Sequence, residues 1–144
     1  MKSLVTGGAG FIGSNLVDQL VQEGHQVIVL DDFSTGRRAN LSQQKKKVKV
    51  IKVDISSKRN LKKYFKGVNY VFHLAGLADI VPSIENPYKY FKANVVGTLN
   101  IINAVQNLKI KKFVYAASAS CYGVSNKFPT NENEKIKTMY PYSF

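Results

Sequence analysis

The strongest constraint on the fold of this chain is residues 1–13, where a short apolar run leads into a cluster of glycines. An amphipathic pattern begins directly after the cluster, which predicts a strand, a tight turn and the start of a helix. Two glycine spacings, G-x-G-x-x-G and G-x-x-G-x-x-G, are formed by Gly7, Gly8, Gly10 and Gly13. Such glycines permit a tight turn, let the backbone approach a pyrophosphate and let the helix pack closely on the strand. The spacing by itself also fits an ordinary turn before a surface helix. Only the rest of the sequence can distinguish this turn from a nucleotide site.

Length and composition limit the chain to one domain. It has 144 residues, of which 44% are hydrophobic, and this is enough for one proper core. No apolar run approaches the roughly 18 residues of a membrane span, and Met1 leads straight into a strand without the features of a signal peptide. We therefore expect a cytoplasmic protein without a membrane partner.

The sequence argues against disulfide, metal and nucleic-acid chemistry. Cys121 is the single cysteine, and His25 and His73 have no partners at metal-ligand spacing. The formal charge of +12 is compatible with nucleic acid, but its densest run, in residues 45–49, lacks aromatic neighbours and is typical of a solvated loop. We predict no metal and no nucleic-acid partner, and a basic surface that attracts a small anion such as a nucleotide.

The end of the second predicted strand, residues 26–30, supports a nucleotide site. Asp31 follows this strand eighteen residues after Gly13, near the ~20 expected for the acidic residue that hydrogen-bonds the ribose hydroxyls of adenosine. An acidic residue at a strand end is also common without a ligand, but the spacing and the order together favour the ribose role. Arg37 and Arg38 suggest the 2′-phosphate of NADP as an alternative. Because the Asp31 carboxylate would repel that phosphate, NAD is predicted.

Three further strands and two helices complete the predicted order. The strands cover residues 48–53, 70–74 and 112–117, and the helices cover residues 57–66 and 87–108. Pro87 is the first-turn proline of the long helix. Most of its apolar stripe is expected to face the core: Tyr90, Phe91, Val95, Leu99, Ile102 and Val105. Asn94 lies among these positions, and its amide either bonds a neighbouring loop or reaches toward a cofactor.

Strands that alternate with helices predict an α/β fold with a Rossmann-like, doubly wound parallel sheet. Ligands bind such a sheet at the carboxyl ends of its strands. The residues that the chemistry singles out lie at these ends, on five different strands: Gly7, Gly10, Gly13, Asp31, Asp54, Ala75, Gly76 and Ser118. One ligand site at one rim of the sheet is therefore the simplest prediction.

Seven motifs in this order resemble the extended short-chain dehydrogenase/reductases, and among them the NAD-dependent nucleotide-sugar epimerase/dehydratase family with its UDP-glucose 4-epimerases. The motifs occupy residues 6–13, 31–34, 54–55, 73–76, 94–98, 118–123 and 141–142. The resemblance covers the whole chain. It implies that residues 1–144 are an incomplete NAD-binding Rossmann domain, truncated before the last strands and the substrate-binding part.

The resemblance also implies the site residues. NAD would be held by Gly7, Gly10, Phe11, Ile12, Gly13, Asp31, Asp32, Phe33, Ser34, Thr35, Gly36, Asp54, Ile55, Leu74, Ala75, Gly76 and Asn94. Tyr142 would be the catalytic base, and Ser118 would hydrogen-bond the same sugar oxygen. NAD would accept a hydride from C4 of the sugar and return it to the opposite face of a 4-keto sugar, so that it is not consumed.

In this family a lysine four residues after the tyrosine helps to lower its pKa. That position would be 146, beyond Phe144. We therefore expect the chain to be a fragment or a natural truncation with little turnover of its own, and the parent protein to be active. Ala119 and Ser120 stand where the 4,6-dehydratases typically carry an acidic pair, which favours an epimerase.

Three alternatives stay open at this point: a 4,6-dehydratase of the same family, a non-catalytic NAD-binding module, and an interaction protein that uses its basic surface. The substrate implied by the resemblance is a nucleotide sugar, in the first place a UDP-hexose. The resemblance also implies that the full-length protein is a homodimer built partly by the Pro87 helix. In a fragment, an exposed apolar face on that helix would lower the solubility or alter the association.

Overall fold

Five parallel strands form the centre of the molecule. The computed structural model describes residues 1–44, 47–57, 60–125 and 128–143. The strands are β1 Lys2–Thr6, β2 Gln26–Asp31, β3 Val48–Lys52, β4 Tyr70–His73 and β5 Lys112–Tyr115. Their order across the sheet is β3-β2-β1-β4-β5, with Thr6 level with Leu30 on one side and with His73 on the other. The predicted α/β class and doubly wound sheet are confirmed.

The helices connect the strands across both faces of the sheet. The first is α1, Phe11–Gln22, and a second short helix is α2, Ile80–Glu85. A continuous helix follows, made of α3 Pro87–Tyr90, a π-helix Phe91–Val96 and α4 Gly97–Val105. Single turns of 3-10 helix occur at Lys62–Phe65, Ala119–Tyr122 and Pro141–Ser143, and a longer one at Arg38–Gln44.

The core lies on both faces of the sheet, because the central strands are buried along nearly their whole length. Residues 3–6 of β1 and 27–31 of β2 are all buried, as expected for parallel strands covered on both sides. On one face Leu4 packs in a cluster with Ile101 of α4. On the other face Val5 packs in a cluster with Val17 of α1. The site is therefore built on a rigid three-layer scaffold.

Two predicted connections differ from the structure. The predicted helix 57–66 is reduced, in the part that the structure describes, to one 3-10 turn over Lys62–Phe65; Lys58 and Arg59 lie outside the described residues. Gly67, with φ +72°, ends this turn. The basic run 45–49, interpreted as a solvated loop, lies between the 3-10 helix Arg38–Gln44, which Leu41 anchors in the core, and β3, to which Lys49 belongs. Residues 45–46 of the basic run also lie outside the described part.

The long helix occurs where it was predicted, but the predicted core stripe was wrong for most of its members. The exposed fraction is between 46% and 53% for Phe91, Val95, Leu99 and Ile102. The buried side of the helix carries Gly97, Ile101 and Ala104 instead. Small residues allow this close approach, since a Cβ on Gly97 would lie 2.9 Å from the Ile55 side chain. Apolar periodicity indicates a helix here without indicating which of its two apolar faces is covered.

Candidate functional site

A cleft opens at the carboxyl ends of β1 to β4. Its walls are formed by Gly7, Gly10, Leu30, Asp31, Asp32, Ser34, Thr35, Gly36, Val53, Asp54, Ile55, Leu74, Ala75, Gly76, Leu77 and Ala93. Most of the residues that the resemblance implied for the cofactor are thus brought together. The implied residues outside the walls are Phe11, Ile12, Gly13, Phe33 and Asn94. Whether the residues in the walls bind a cofactor stays a prediction.

The sequence analysis missed four apolar residues of the cleft, namely Leu30, Val53, Leu77 and Ala93. Leu30 is the next-to-last residue of β2, and Val53 directly follows β3, so their places at strand ends were available signals. Leu77 and Ala93 are not at a strand end, so the sequence offered no comparable indication for them. They meet at the cleft only because the chain turns back after β4 and brings the long helix beside the loop.

The turn after β1 depends on glycine at two positions. Gly7 has φ +69°, a conformation that strongly favours glycine, and a Cβ there would lie 2.7 Å from the backbone nitrogen of Ala75. A Cβ on Gly13 would overlap the carbonyl oxygen of Gly7. The turn therefore packs directly on the loop after β4, and α1 packs directly on the turn. Gly13 is outside the cleft walls because its role is this packing.

Helix α1 begins at Phe11 beside the cleft, and its Ncap residue Gly10 supplies no side-chain cap. The first-turn N–H groups of a helix carry partial positive charge and attract anions when no side chain caps them. The side chains of Phe11 and Ile12 are 83% and 68% exposed. What these two residues can offer a phosphate is therefore their backbone N–H groups.

Asp31 ties the glycine turn to the segment after β2. Its Oδ2 accepts a hydrogen bond from the Ala9 N–H at 2.9 Å, and its Oδ1 accepts one from the Phe33 N–H at 2.8 Å. The residue is buried, yet it belongs to the cleft wall. Each carboxylate oxygen has a second lone pair. Asp31 can therefore accept ligand hydroxyl groups while it holds the turn.

The segment after β2 closes over the glycine turn at Ala9. The Ala9 carbonyl accepts hydrogen bonds from the Arg37 N–H at 3.0 Å and from Nδ2 of Asn40 at 2.8 Å. A Cβ on Gly36 would lie 2.9 Å from the carbonyl carbon of Ala9. The Arg38 guanidinium stacks 4.5 Å from the centre of the Phe33 ring. This segment is consequently ordered by the turn it covers.

The same Asp-x-Ser turn follows two neighbouring strands. Oδ1 of Asp32 accepts hydrogen bonds from the Ser34 N–H at 2.8 Å and from the Ser34 hydroxyl at 2.7 Å. Oδ1 of Asp54 accepts the equivalent bonds from Ser56 at 2.8 and 2.7 Å. Short side-chain bonds of this kind preform a turn before any ligand arrives.

Asn94 and His73 hold the loop after β4. The Asn94 amide accepts the Leu77 N–H at 2.7 Å and donates to the Leu77 carbonyl at 3.0 Å, so of its two predicted roles it takes the bond to the loop. His73 is fully buried, with Nδ1 2.6 Å from Oγ1 of Thr6 and Nε2 2.8 Å from Oγ1 of Thr98. Burial lowers the pKa of His73 to about 4, and its ring is accordingly neutral at pH 7.

Ser118 lies at the start of the 3-10 helix Ala119–Tyr122, outside the walls of the cleft. Its hydroxyl donates to Oγ of Ser120 at 3.0 Å and accepts the Ser120 N–H at 3.2 Å. The residue is half-buried. Its hydroxyl is thus held at a turn beyond β5, where it remains within reach of solvent.

Tyr142 is held by α2, a helix that was not predicted. Its backbone N–H donates to the buried Ser83 hydroxyl at 3.2 Å, and its ring meets the Tyr90 ring edge-on at 6.4 Å. The Tyr90 hydroxyl donates to the Ala78 carbonyl at 2.6 Å. Burial raises the pKa of Tyr90, and the charges of Asp79 and Tyr142 add to the effect. Tyr142 also lies outside the cleft walls.

Among the described residues, no three His, Cys, Asp or Glu side chains are grouped so that they could hold a metal ion. Cys121 is a free, half-buried thiol. No helix in the described ranges combines the length and the apolar character needed to cross a membrane.

The chain resembles known epimerases over nearly its whole length. It is 40% identical over 141 residues to the putative UDP-glucose 4-epimerase of Methanocaldococcus jannaschii, a match that covers 96% of this chain and 45% of that protein. The UDP-glucose 4-epimerase of Thermotoga maritima, solved with UDP-glucose, has a TM-score of 0.91 at 35% identity and is matched over 99% of this chain and 47% of its own. The UDP-glucose 4-epimerase of Thermus thermophilus, solved in complex with NAD, has a TM-score of 0.90 at 35% identity. The match covers 99% of this chain and 46% of that protein. The chain therefore spans less than half the length of these relatives.

The model of the NAD-dependent epimerase/dehydratase family matches residues 3–144, nearly all of the chain. The resemblance that the motifs indicated is confirmed, and NAD, the predicted cofactor, is the cofactor of the matched family. With its parallel sheet, its glycine turn and this match, the chain belongs to the NAD-dependent epimerase/dehydratase family.

Proposed function

We propose that this chain is the NAD-binding part of a nucleotide-sugar 4-epimerase whose substrate is a UDP-hexose. The observation that carries the proposal is the cleft in which the glycine turn, the Asp31 carboxylate and the loop after β4 meet. Membership of the family supports the cofactor, and the relatives named UDP-glucose 4-epimerase support the substrate class. The parent protein would be an isomerase.

The donor set of the cleft fits a dinucleotide. The uncapped start of α1 would face the pyrophosphate, and the buried Asp31 carboxylate would accept the hydroxyls of the adenosine ribose. Asp32 to Gly36 would surround the adenosine, with Asp54 and Ile55 at the adenine. Residues 74–76 would line the remainder. Asn94 would act through Leu77, since its amide is already bonded there.

The bound cofactor would supply a reversible hydride acceptor. Tyr142 would remove the proton of the sugar 4-hydroxyl, and its backbone is held for this by the bond to Ser83. Ser118 would donate its hydroxyl proton to the same sugar oxygen, which would replace Ser120 as the acceptor. A tyrosine with an ordinary pKa near ~10 is mostly protonated at pH 7, so positive charge close to Tyr142 is required for this role.

An epimerase is favoured over a 4,6-dehydratase by the residues that follow Ser118. Elimination of water needs an acid and a base at the sugar. The segment Ala119–Tyr122 contains no carboxylate, and its polar groups are the Ser120 hydroxyl and the Cys121 and Tyr122 side chains. A turn without a carboxylate does not supply this acid and base, whereas epimerisation needs only the transfer of one proton and one hydride.

Calorimetric titration of the chain with NAD tests the cofactor site. We expect saturable binding of NAD and weaker binding of NADP, because the Asp31 carboxylate repels a 2′-phosphate. Asp31→Asn should weaken NAD binding by about tenfold or more, the size expected for a lost hydrogen bond to a charged group.

Glu23→Gln, at the exposed end of α1, is the control that removes one negative charge away from the cleft. It should leave the affinity unchanged. A folded chain that binds neither nucleotide, or that binds both equally, would overturn the proposed cofactor site.

We further propose that the exposed apolar side of the long helix is a subunit interface of the full-length protein. Phe91, Val95, Leu99 and Ile102 lie on this side and are about half exposed. Contiguous apolar surface of this kind marks interaction sites on proteins. Two copies of such a helix face can cover each other in a helix bundle.

A further inference from the structure

A series of hydrogen bonds connects Ala75 in the cleft wall to the long helix through one buried imidazole. The Ala75 N–H donates to Oγ1 of Thr6 at 3.2 Å, and this oxygen is 2.6 Å from Nδ1 of His73. On the other side of the ring, Nε2 of His73 is 2.8 Å from Oγ1 of Thr98. The Thr98 hydroxyl in turn donates to the Asn94 carbonyl at 2.5 Å. The four bonds join β1, β4 and the long helix.

The group at the Asn94 end of this hydrogen-bond network determines which nitrogen of His73 carries the proton. A carbonyl can only accept, so the Thr98 hydroxyl proton is directed at Asn94, and Thr98 must accept from Nε2–H of His73. With its proton on Nε2, the ring leaves Nδ1 as an acceptor, and Thr6, which accepts the Ala75 N–H, can donate its own hydroxyl proton to Nδ1. A neutral ring with its proton on Nε2 satisfies all of these groups. The opposite tautomer would leave the Nε2 lone pair facing an oxygen whose proton is already used.

We infer that His73, with its proton on Nε2, is a positioning residue that holds the 74–77 loop in place as the floor of the cofactor cleft. The inference deepens the proposed function and rests on it for the identity of the cleft. His73 is not itself among the residues of the cleft wall. It acts through Thr6 on one side and through Thr98 on the other.

The loop is held at two points, and His73 connects them. Ala75 is bonded to Thr6, and Leu77 is bonded twice to the Asn94 amide. Both Ala75 and Leu77 belong to the cleft wall. If His73 turned its ring, Thr6 and Thr98 would each lose a partner. If it changed its tautomer, Nε2 and Oγ1 of Thr98 would face each other without a proton between them, and the link from the loop to the long helix would be weakened.

The surroundings of His73 keep this proton order unique. The residue is 1% exposed, so water cannot replace a partner, and its ring stacks on Tyr115 with the centres 5.7 Å apart. Burial also lowers the pKa of the imidazole to about 4, which keeps the ring neutral across the physiological range. A buried network in which every group is satisfied specifies one arrangement.

Nitrogen NMR of the imidazoles in the intact chain tests the tautomer directly. At pH 7 we expect His73 to show a protonated Nε2 and an unprotonated Nδ1, both before and after NAD is added. His25, half-buried with its Nδ1 2.7 Å from Oγ of Ser3, supplies a reference signal in the same spectrum. A proton on Nδ1, or a doubly protonated ring at pH 7, would overturn the inference.

Variants of Thr98 test the positioning role through amide hydrogen exchange. Thr98→Val removes the acceptor of Nε2–H, and we expect the Ala75 and Leu77 amides to exchange about tenfold faster or more. Thr98→Ser restores the hydroxyl and should restore the exchange rates. Ser3→Ala breaks the other histidine bond of β1, at the far end of the strand, and should leave both amides unchanged.

The pattern of exchange separates positioning from general stability. Faster exchange in Thr98→Val that is confined to the loop supports the inference, whereas equal acceleration throughout β1 and β2, or none at Ala75 and Leu77, would overturn it. Hydrogen exchange and the tautomer before NAD is added are both measured on the free protein. A chain that shows the expected pattern but does not bind NAD would contradict the proposed function and leave the positioning role of His73 standing.

Discussion

At the residue scale, the cleft depends on places where no side chain fits, among them Gly7 and Gly13. Gly7 combines a positive φ with close contact to the loop after β4, and Gly13 lets α1 rest on the turn. Gly67 has a similar φ, +72°, but a Cβ there would have no heavy atom within 4 Å. A comparison of Gly7 with Gly67 therefore separates the energetic cost of the backbone conformation from the cost of steric overlap.

We predict that Gly67→Ala lowers the free energy of unfolding by about 1 kcal/mol, the usual penalty for an L-residue in a left-handed conformation. Gly7→Ala should cost about 3 kcal/mol or more, because a Cβ 2.7 Å from the Ala75 nitrogen also forces β1 and the loop apart. Urea unfolding of both variants measures the difference. Equal losses would mean that the overlap is relieved without strain.

At the scale of elements, the long helix has two apolar sides with different partners. One side packs on the sheet through Ile101 and Ala104, and the other is open. Ile101 and Ile102 are neighbours in sequence with the same side chain, and their exposed fractions are 0% and 48%. They form a matched pair for the two sides.

Ile101→Ala is expected to lower the free energy of unfolding by about 2–5 kcal/mol, since it removes a fully buried side chain and leaves a cavity. Ile102→Lys should change it by less than about 0.5 kcal/mol, as is usual for surface substitutions, and should reduce any self-association of the chain. Denaturation and analytical ultracentrifugation measure these effects. A chain that is a well-behaved monomer before substitution would contradict the proposed interface.

At the scale of the whole molecule, His73 couples stability to pH, because it joins β1, β4 and the long helix. Burial lowers its pKa to about 4 from the ordinary value of 6.5. Between these values the unfolded chain binds more protons than the folded one, so the free energy of unfolding falls as the pH drops from about 6.5 to about 4. The full loss from this residue is about 3 kcal/mol.

Urea unfolding at several pH values between about 7 and about 4.5 checks this slope. His73→Gln keeps a donor for Thr98 without a titrating group, so its stability should vary less with pH in the same interval. An identical slope in both proteins would assign the pH dependence to other groups.

Much of this architecture could be predicted from the sequence. The alternation of predicted strands and helices indicated a parallel sheet, and β1 and β2 are buried along nearly their whole length because both faces of that sheet are covered. The glycine spacing and Asp31 lie next to each other in the fold for the same reason: both end neighbouring strands. The local sequence is sufficient to predict a feature when that feature depends only on residues close together in the sequence.

The remaining features arise from contacts between distant residues. The pairing of Asn94 with Leu77 joins residues far apart in sequence, and no spacing rule indicates it. Helix α2 was missed because it is only six residues long and contains Pro82. The exposure of Leu99 depends on what covers the helix, which periodicity does not indicate.

The central place of β1 also has a consequence in time. One edge of β1 pairs with β2, which follows closely in sequence. Its other edge pairs with β4, so Thr6 cannot pair with His73 until β4 has been synthesised. At a synthesis rate of about 5–20 residues per second, the intervening chain takes roughly 3 to 13 s to emerge. During those seconds one edge of β1 has unpaired backbone N–H and C=O groups, which can pair with a wrong strand. β1 is thus made well before β4 covers its second edge.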